Sequence, residues 1–190
     1  MIRLLSVAAA AALLSGCAVA VVGAAAGAGA VHDRRSVGTV LDDNNIALTA
    51  FDSINKDKEL ALKNNVGIVV YNGVMLLVGE VRTDELRQRA LARVSGLAGV
   101  KRSVNEITVE EPTGFGTSTR DSWLSLRVKT ALLDIVDIDG FDPTRVNVST
   151  QNGKVYLMGL LAREEADRVV DIARNVPGVE RVVKVFEYTD

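Results

Sequence analysis

The sequence repeats itself, and this repeat constrains the fold more than any single motif. Residues 66–79 (VGIVVYNGVMLLVG) align with residues 146–159 (VNVSTQNGKVYLMG) at a constant offset of 80 positions. In each copy two β-rich runs flank an Asn-Gly pair, which is the strongest short signal for a β-hairpin because both turn residues must accept a positive φ. The repeat therefore predicts two copies of one supersecondary unit.

Helical patterns precede and follow each hairpin. The preceding helices have apolar residues spaced for one face, which are Ile46, Ala50 and Ile54 in the first copy and Leu124, Val128, Ala131 and Leu132 in the second. The following helices are predicted over 83–95 and 163–175, and acidic residues that complement the helix dipole open both. A third β-rich run closes each copy, at 100–109 and 179–188.

The predicted fold is therefore α+β, with two tandem units of order α-β-β-α-β. Each unit is expected to form a small three-stranded mixed sheet that two helices cover on one face. In the second copy Val146 and Val148 alternate with polar residues, which predicts that the other face of that sheet meets water. Each unit alone has only a small core, so packing of the two units against each other would add stability.

The beginning of the chain has the layout of a bacterial secretory signal. Arg3 precedes an apolar run that ends at Leu14, and Cys17, the only cysteine, follows Ser15 and Gly16. The run is about half of the roughly 20 residues that a membrane-spanning helix needs. Leu-Ser-Gly-Cys resembles a lipobox, which implies cleavage before Cys17 and stable anchoring of that residue through several acyl chains. The alternative is a free cysteine beside an uncleaved apolar segment.

These patterns divide the chain into five parts. They are a cleaved signal peptide (1–16), a lipidated cysteine with a flexible tether (17–41), a first domain (42–110), a linker (111–119) and a second domain (120–190). The tether is nearly all Ala, Val and Gly over Ala18–Val31, and the linker is rich in Thr, Ser and Gly. His32, the only histidine, is interpreted as a solvated tether residue.

Composition and motifs argue against several classes of function. The net charge is −2, so no global basic field attracts nucleic acid. A lone histidine, a lipidated cysteine and the lack of a phosphate-binding loop leave no readable catalytic, metal or cofactor site. The acidic stretch Asp134–Asp142 only faintly resembles a calcium loop, because aligning Gly140 with the loop glycine puts Ile135 and Val146 at the first and last ligand positions. We therefore predict a protein that is not an enzyme and carries no cofactor.

One predicted helix combines aromatic, aliphatic and basic residues on its outer face. At about 100° per residue, the face of 122–133 that points away from the core carries Trp123, Leu126, Arg127 and Thr130, with Lys129 and Leu133 at its flank. An aromatic ring suits the headgroup level of a bilayer, aliphatic side chains insert slightly deeper, and cations meet phosphates. The alternative is that Trp123 packs against the first domain or Phe115 while both cations are merely solvated.

The equivalent helix of the first copy lacks this combination. At the positions that correspond to the tryptophan and the two cations it carries Asn45, Thr49 and Phe51. The asymmetry assigns the predicted binding surface to the second copy.

The repeated unit resembles the BON domain. The resemblance rests on the Asn-Gly hairpins, on the glycine after each second strand (Gly79 and Gly159) and on the closing Gly178-Val179-x-x-Val182. Two such domains behind a lipobox resemble the DolP (YraP) family of outer-membrane lipoproteins, and this resemblance covers essentially the whole chain.

The resemblance implies a location and a function. It implies a non-enzymatic lipoprotein at the periplasmic face of the outer membrane that binds anionic phospholipid, chiefly phosphatidylglycerol, through the first helix of the second domain. Trp123, Arg127 and Lys129 match the family's binding helix, and Ala18 in place of an aspartate favours sorting to the outer membrane. The family supports outer-membrane integrity and accumulates at the division site. The alternative function is a protein adaptor for outer-membrane β-barrel assembly or for cell-wall hydrolase regulation.

Overall fold

Each Asn-Gly pair closes a two-residue hairpin turn in the computed structural model, which describes residues 33–190. Asn72 and Asn152 have φ angles of 51° and 50°, and the glycines that follow them have φ angles of 76° and 72°. Positive values at both central residues are those of the type I′ turn, whose twist matches that of the paired strands. The predicted hairpins are therefore confirmed. The signal peptide, Cys17 and the tether up to His32 lie outside the described residues.

Both copies contain a three-stranded mixed sheet. The first copy comprises α1 (Val37–Asn55), α2 (Lys58–Lys63), β1 (Asn65–Tyr71), β2 (Val74–Val81), α3 (Asp84–Val94) and β3 (Arg102–Val109). The second comprises α4 (Phe115–Leu132), a 3-10 turn (Pro143–Arg145), β4 (Asn147–Gln151), β5 (Lys154–Leu161), α5 (Arg163–Asn175) and β6 (Arg181–Tyr188). In each sheet the second hairpin strand is central, antiparallel to the first strand and parallel to the third. The predicted α+β fold is confirmed.

Two helices begin earlier than the sequence predicts, and one was not predicted. Helix α1 begins at Val37, within the segment predicted as tether, because the side chain of Ser36 caps its first turn. Helix α4 begins at Phe115, within the segment predicted as linker. The short α2 follows Asp57, whose carboxylate accepts hydrogen bonds from the first backbone N–H groups of that helix. These capping residues lie upstream of the periodic apolar residues on which the predictions rest.

The face of each sheet that points away from its helices is covered by the other sheet. Val74, Leu76 and Val78 of β2 belong to one buried cluster that also contains Tyr71, Tyr156, Met158 and Val185. The prediction that this face of the second sheet meets water is wrong. It followed from the alternation at the start of β4, whereas the central strand β5 is apolar on both faces and almost entirely buried.

Two further clusters lie between each sheet and its own helices. The first copy contributes one cluster from α1, α2, α3 and its sheet, and the second copy contributes another from α4, α5 and its sheet. The folded body from Arg34 to Asp190 is one compact unit of four layers, with a helical layer on each outside and the two sheets between them. Helices α1 and α4 therefore lie in opposite outer layers.

The asparagines of the two turns join the copies to each other. Asn152 Nδ2 donates a hydrogen bond to Glu80 Oε1 at 2.8 Å, and Asn72 Nδ2 donates one to Glu187 Oε2 at 2.9 Å. The carboxylate of Glu80 is fully buried and also accepts hydrogen bonds from the side chain of Gln151 and from the backbone and side chain of Thr113. A buried carboxylate is tolerated here because hydrogen bonds surround it.

Candidate functional site

Helix α4 buries one face and exposes the other. Leu124, Val128 and Leu132 are at most 4% exposed and pack into the core of the second copy. On the other face, Trp123 is 63% exposed and Leu133 is 62% exposed. The exposure of Trp123 argues against the alternative in which this side chain is buried against the first domain. The 3.6-residue period therefore places the predicted binding residues on the solvent side of this helix.

A buried aspartate fixes α4 to the hairpin turn of its own copy. The carboxylate of Asp121 accepts hydrogen bonds from the backbone N–H of Asn152 at 2.7 Å and of Gly153 at 3.0 Å. Asp43 of α1 binds the turn of the first copy in the same way, with both distances at 2.7 Å. Sequence reasoning missed this pair, although in both copies an aspartate stands three positions before the first residue of the predicted apolar face, Ile46 or Leu124.

The six predicted binding residues line two depressions that meet on α4. The larger is a groove of about 730 Å³ between α4 and α5, which we call the α4–α5 groove. Trp123 and Arg127 line it, together with Leu126 and Thr130. The smaller depression has a volume of about 400 Å³ and is lined by Lys129 and Leu133, again with Leu126 and Thr130. The structure thus brings all six residues together as one surface, with one of the two cations, Arg127 and Lys129, in the lining of each depression.

The α4–α5 groove also includes residues that were not predicted for the binding surface. Ala131 and Asp134 come from α4 and the segment directly after it. The others come from α5 and the segment after it, and they are Arg168, Asp171, Ile172, Arg174, Asn175, Val176 and Pro177. No local pattern assigns this second group to the surface, because its members meet α4 only through the tertiary packing of the two helices.

The cations of this surface differ in whether they are paired. Arg168 pairs with Asp137 at 3.1 Å and Arg174 pairs with Asp171 at 2.9 Å. By contrast, Arg127 and Lys129 form no ion pair with any residue from 33 to 190. Arg127 and Lys129 are therefore free to meet an external anion.

The acidic stretch after α4 contributes only one carboxylate to the groove. Asp137 is occupied by Arg168, and Asp142 caps the 3-10 turn by accepting the N–H of Thr144 at 2.8 Å. Asp134 lines the groove and is exposed. Of this stretch, only Asp134 therefore places a carboxylate in the groove, while Asp139 is exposed outside it.

The equivalent surface of α1 has apolar residues but not the cations. Leu48 is 67% exposed and Phe51 is 59% exposed, and the exposed fractions of Val37 and Leu41 are similar. The hydroxyl of Thr49, at the position that corresponds to Arg127, donates to the carbonyl of Asn45 at 2.7 Å. The two helices therefore differ in charge more than in apolar exposure.

Two arginines fix the point at which the chain enters the folded body. Arg34 donates to Leu160 O at 3.0 Å and forms a bidentate pair with the carboxylate of Glu165, with N–O distances of 2.5 and 2.8 Å. Arg35 pairs with Asp43 at 2.9 Å and stacks on Tyr71 with its guanidinium carbon 3.7 Å from the ring centroid. The residues that directly precede α1 therefore contact both copies.

The electrostatics of Glu165 follow from this contact. Burial by itself raises the pKa of Glu165, but hydrogen bonds from Arg34 and from the N–H of Ala162, with the charges of Arg34 and Arg145, outweigh it. The net pKa therefore lies below the ordinary glutamate value, and the carboxylate is charged at neutral pH.

Two features of the described residues bear on other classes of site. Between Asp33 and Asp190, no helix combines the length and the hydropathy that crossing a bilayer would require. Over the same residues no three His, Cys, Asp or Glu side chains are grouped so that they could hold a metal ion.

Comparison with known proteins finds a family model that matches each repeat unit and relatives that match most of the chain. The BON domain model matches residues 42–111 and 120–190. The outer membrane lipoprotein DolP of Haemophilus influenzae is 36% identical over 179 residues, which cover 93% of this chain and 91% of that protein. The 21 kDa hemolysin of Actinobacillus pleuropneumoniae is 36% identical over 156 residues, which cover 82% and 79% of the two chains.

A solved structure of CdsD, a structural protein of the type III secretion system of Chlamydia trachomatis, is also similar. It is 17% identical and covers 76% of this chain and 92% of its own length, with a TM-score of 0.28, which is too low to support an argument. The sequence relatives and the two family matches are sufficient without it. The chain belongs to the family of outer-membrane lipoproteins with two BON domains that includes DolP.

Proposed function

We propose that this lipoprotein binds anionic phospholipid, chiefly phosphatidylglycerol, through the outer face of α4, and so supports outer-membrane integrity at the periplasmic face and at the division site. In this proposal Cys17 carries the lipid anchor and no step is catalytic. The observation that carries the proposal is the joining of Trp123, Leu126, Arg127, Thr130, Lys129 and Leu133 into one exposed surface whose two cations have no ionic partner among residues 33–190.

The binding free energy expected for the α4 surface is small, and the lipid anchor compensates by holding that surface near the bilayer. Each basic residue near an anionic bilayer contributes roughly 1 kcal/mol, and Trp123 adds an aromatic ring at the headgroup level. Such a contact is weak for a protein in solution. Once the chain is tethered to the same bilayer the contact becomes intramolecular, so its effective concentration is high.

The test measures binding of the folded body, residues 33–190, to vesicles with increasing fractions of phosphatidylglycerol. Trp123→Glu is expected to weaken binding by about tenfold or more, because it removes the ring and puts a negative charge beside lipid phosphates. Asn45→Glu introduces the same charge at the corresponding exposed position of α1 and is the matched control. It is expected to leave binding unchanged.

Two results would contradict the proposal. One is equal binding by the Trp123→Glu variant and the unaltered body, and the other is an equal loss in both variants, which would reflect net charge alone.

An adaptor function is the second candidate. It is favoured by the apolar face of α1, which carries Leu48 and Phe51 in the outer layer opposite α4. Under that function vesicle binding shows no preference for anionic lipid, and the Trp123 face crosslinks to protein, such as the β-barrel assembly machinery.

A further inference from the structure

Helix α1 carries a narrow, largely apolar stripe that stays exposed in the folded body. The positions of the stripe alternate at intervals of four and three residues along a helix of 19 residues. They are Val37, Leu41, Asn44, Leu48, Phe51 and Asn55, and all of them are exposed. This strict heptad spacing is narrower than the apolar face of an ordinary surface helix and is typical of a seam between two helices. We call these residues the α1 seam.

The α1 seam points away from the body to which the helix belongs. Ile46, Ala50 and Ile54 lie on the opposite side of α1 and are buried against the first copy. Asp52, the charged residue of α1 that lies beside the seam, already pairs with Lys56 at 2.7 Å. A second helix can therefore lie along the seam without meeting the core of the first copy or an unpaired charge.

Asn44 indicates which helix would fit. It stands in the middle of the seam, and its side-chain amide forms no hydrogen bond with any residue from 33 to 190. An apolar partner would bury this amide without a hydrogen bond, which costs free energy. A second asparagine amide both donates and accepts, so Asn44 opposite its own counterpart is satisfied. In parallel coiled coils, a single asparagine at a core position sets the register and the oligomeric state.

The parallel orientation places each seam residue opposite the same residue of the second copy. The four apolar residues of the seam are then covered at once, and Asn44 meets Asn44. Antiparallel heptad registers instead set Asn44 against a leucine or leave the two N-terminal apolar residues uncovered. The chain enters the body at Arg34, next to the N-terminal end of α1, so two copies anchored in one bilayer would both enter a parallel pair from the same end.

We infer that α1 is a self-association surface, on which a second copy of this chain docks through its own α1 as a parallel two-helix pair with Asn44 opposite Asn44. The seam is confined to the first copy of the repeat, because α4 has the polar residues Thr119, Ser122 and Lys129 at three of the corresponding positions. The pair is only about two and a half heptads long, so it is weak in solution and depends on a shared bilayer for its effective concentration.

This inference goes beyond the proposed function of α4 and does not depend on it. Helices α1 and α4 lie in opposite outer layers, so a pair formed through α1 leaves the α4 surface uncovered. It also assigns to a second copy the face of α1 on which the adaptor candidate relies.

The test traps the pair by disulfide formation on a membrane. The body, residues 33–190, has no cysteine of its own, because Cys17 is the only one in the chain. A Val37→Cys body with an N-terminal hexahistidine tag is held on phosphatidylcholine vesicles that contain a nickel-chelating lipid, so phosphatidylglycerol is absent. Its disulfide dimer is expected to form about fivefold more efficiently than that of Thr49→Cys, the matched control, whose position is exposed but lies off the seam.

A second pair of variants tests the register. Added to the Val37→Cys body, Asn44→Asp is expected to lower the yield of disulfide dimer about tenfold, because two carboxylates would face each other across the seam. Asn45→Asp introduces the same charge at the next exposed position, off the seam, and is expected to leave the yield unchanged. Equal thermal unfolding midpoints in the two variants are the control for folding.

Three results would overturn the inference. They are equal yields from Val37→Cys and Thr49→Cys, equal yields from the two aspartate variants, and disulfides that form only when Val37→Cys is mixed with Phe51→Cys, which would indicate an antiparallel pair. A body that binds phosphatidylglycerol vesicles but gives no specific disulfide contradicts this inference alone. A body that gives the disulfide but does not bind those vesicles contradicts only the proposed function of α4.

Discussion

Replacing Arg34 by alanine is expected to destabilise the folded body by about 2 kcal/mol at neutral pH. The carboxylate of Glu165, in a residue only 4% exposed, receives two hydrogen bonds from Arg34. Breaking a fully buried ion pair by removing one partner typically costs about 3–5 kcal/mol. The loss here is smaller because the N–H of Ala162 still donates at 2.7 Å and Arg145 lies 3.6 Å away.

The destabilisation is expected to depend on pH. In the unaltered protein the folded-state pKa of Glu165 is depressed, so this contribution is present above the unfolded pKa of about 4.3 and is lost as pH falls through the folded pKa. In the Arg34→Ala variant the largest influence on the pKa of Glu165 is burial, which disfavours the charged form. Protonated Glu165 needs no cation, so the stability difference should shrink as the pH is lowered from 7 towards about 4.

Urea unfolding of residues 33–190 at several pH values measures this difference. The matched variants are Glu165→Gln and the double variant with Arg34→Ala, which together form a double-mutant cycle. The double variant should lose less stability than the sum of the single variants, because no buried charge is left without its partner. A loss below about 0.5 kcal/mol at pH 7, or a loss that is the same at every pH, would refute the reasoning.

Two further predictions concern the hairpins. Asp121→Ala is expected to lower the free energy of unfolding by about 1–3 kcal/mol, because two turn N–H groups lose their acceptor; Asp43→Ala should show a similar loss in urea unfolding, and a much smaller loss in either would argue against the shared role. Gly79→Ala is expected to cost about 3 kcal/mol or more, since its φ is 109° and a Cβ would lie 1.7 Å from the carbonyl oxygen of Asn65. Gly96→Ala is the control, with a φ of 73° and open space around it, and should cost only about 1 kcal/mol; equal thermal shifts in both glycine variants would contradict the steric argument.

The parts of the fold that could be predicted from sequence are those determined by local periodicity. The hairpin turns follow from the Asn-Gly dipeptides, and the buried face of α4 follows from a period of 3.6 residues in the apolar side chains. Residues that are close in sequence therefore suffice to predict both. The early start of α1 at Val37 depends on a capping side chain just outside the apolar pattern. The burial of the second sheet face depends on Tyr156 and Met158 meeting another sheet, which no local pattern specifies.

The candidate surface was predictable to the same extent. Trp123 and Arg127 lie on one helix, so helical geometry alone places them on one side. Ile172 and Arg174 join them only because α5 packs beside α4, and their distance in sequence hides this. Asp134 was noted for its charge, but whether it lies in or away from the groove depends on how the chain turns after α4.

The contact between the two sheets has a consequence for how such a protein can diversify. Leu76 and Val78 on one side of that contact correspond by the repeat offset to Tyr156 and Met158 on the other, so each copy offers the same patch to its neighbour. The contact therefore resembles the interface of a two-fold homodimer, except that both halves belong to one chain. In a true homodimer any change to one outer helix would be forced on the other. The covalent link removes that constraint, so α4 can carry Arg127 and Lys129 while α1 stays uncharged at the corresponding positions.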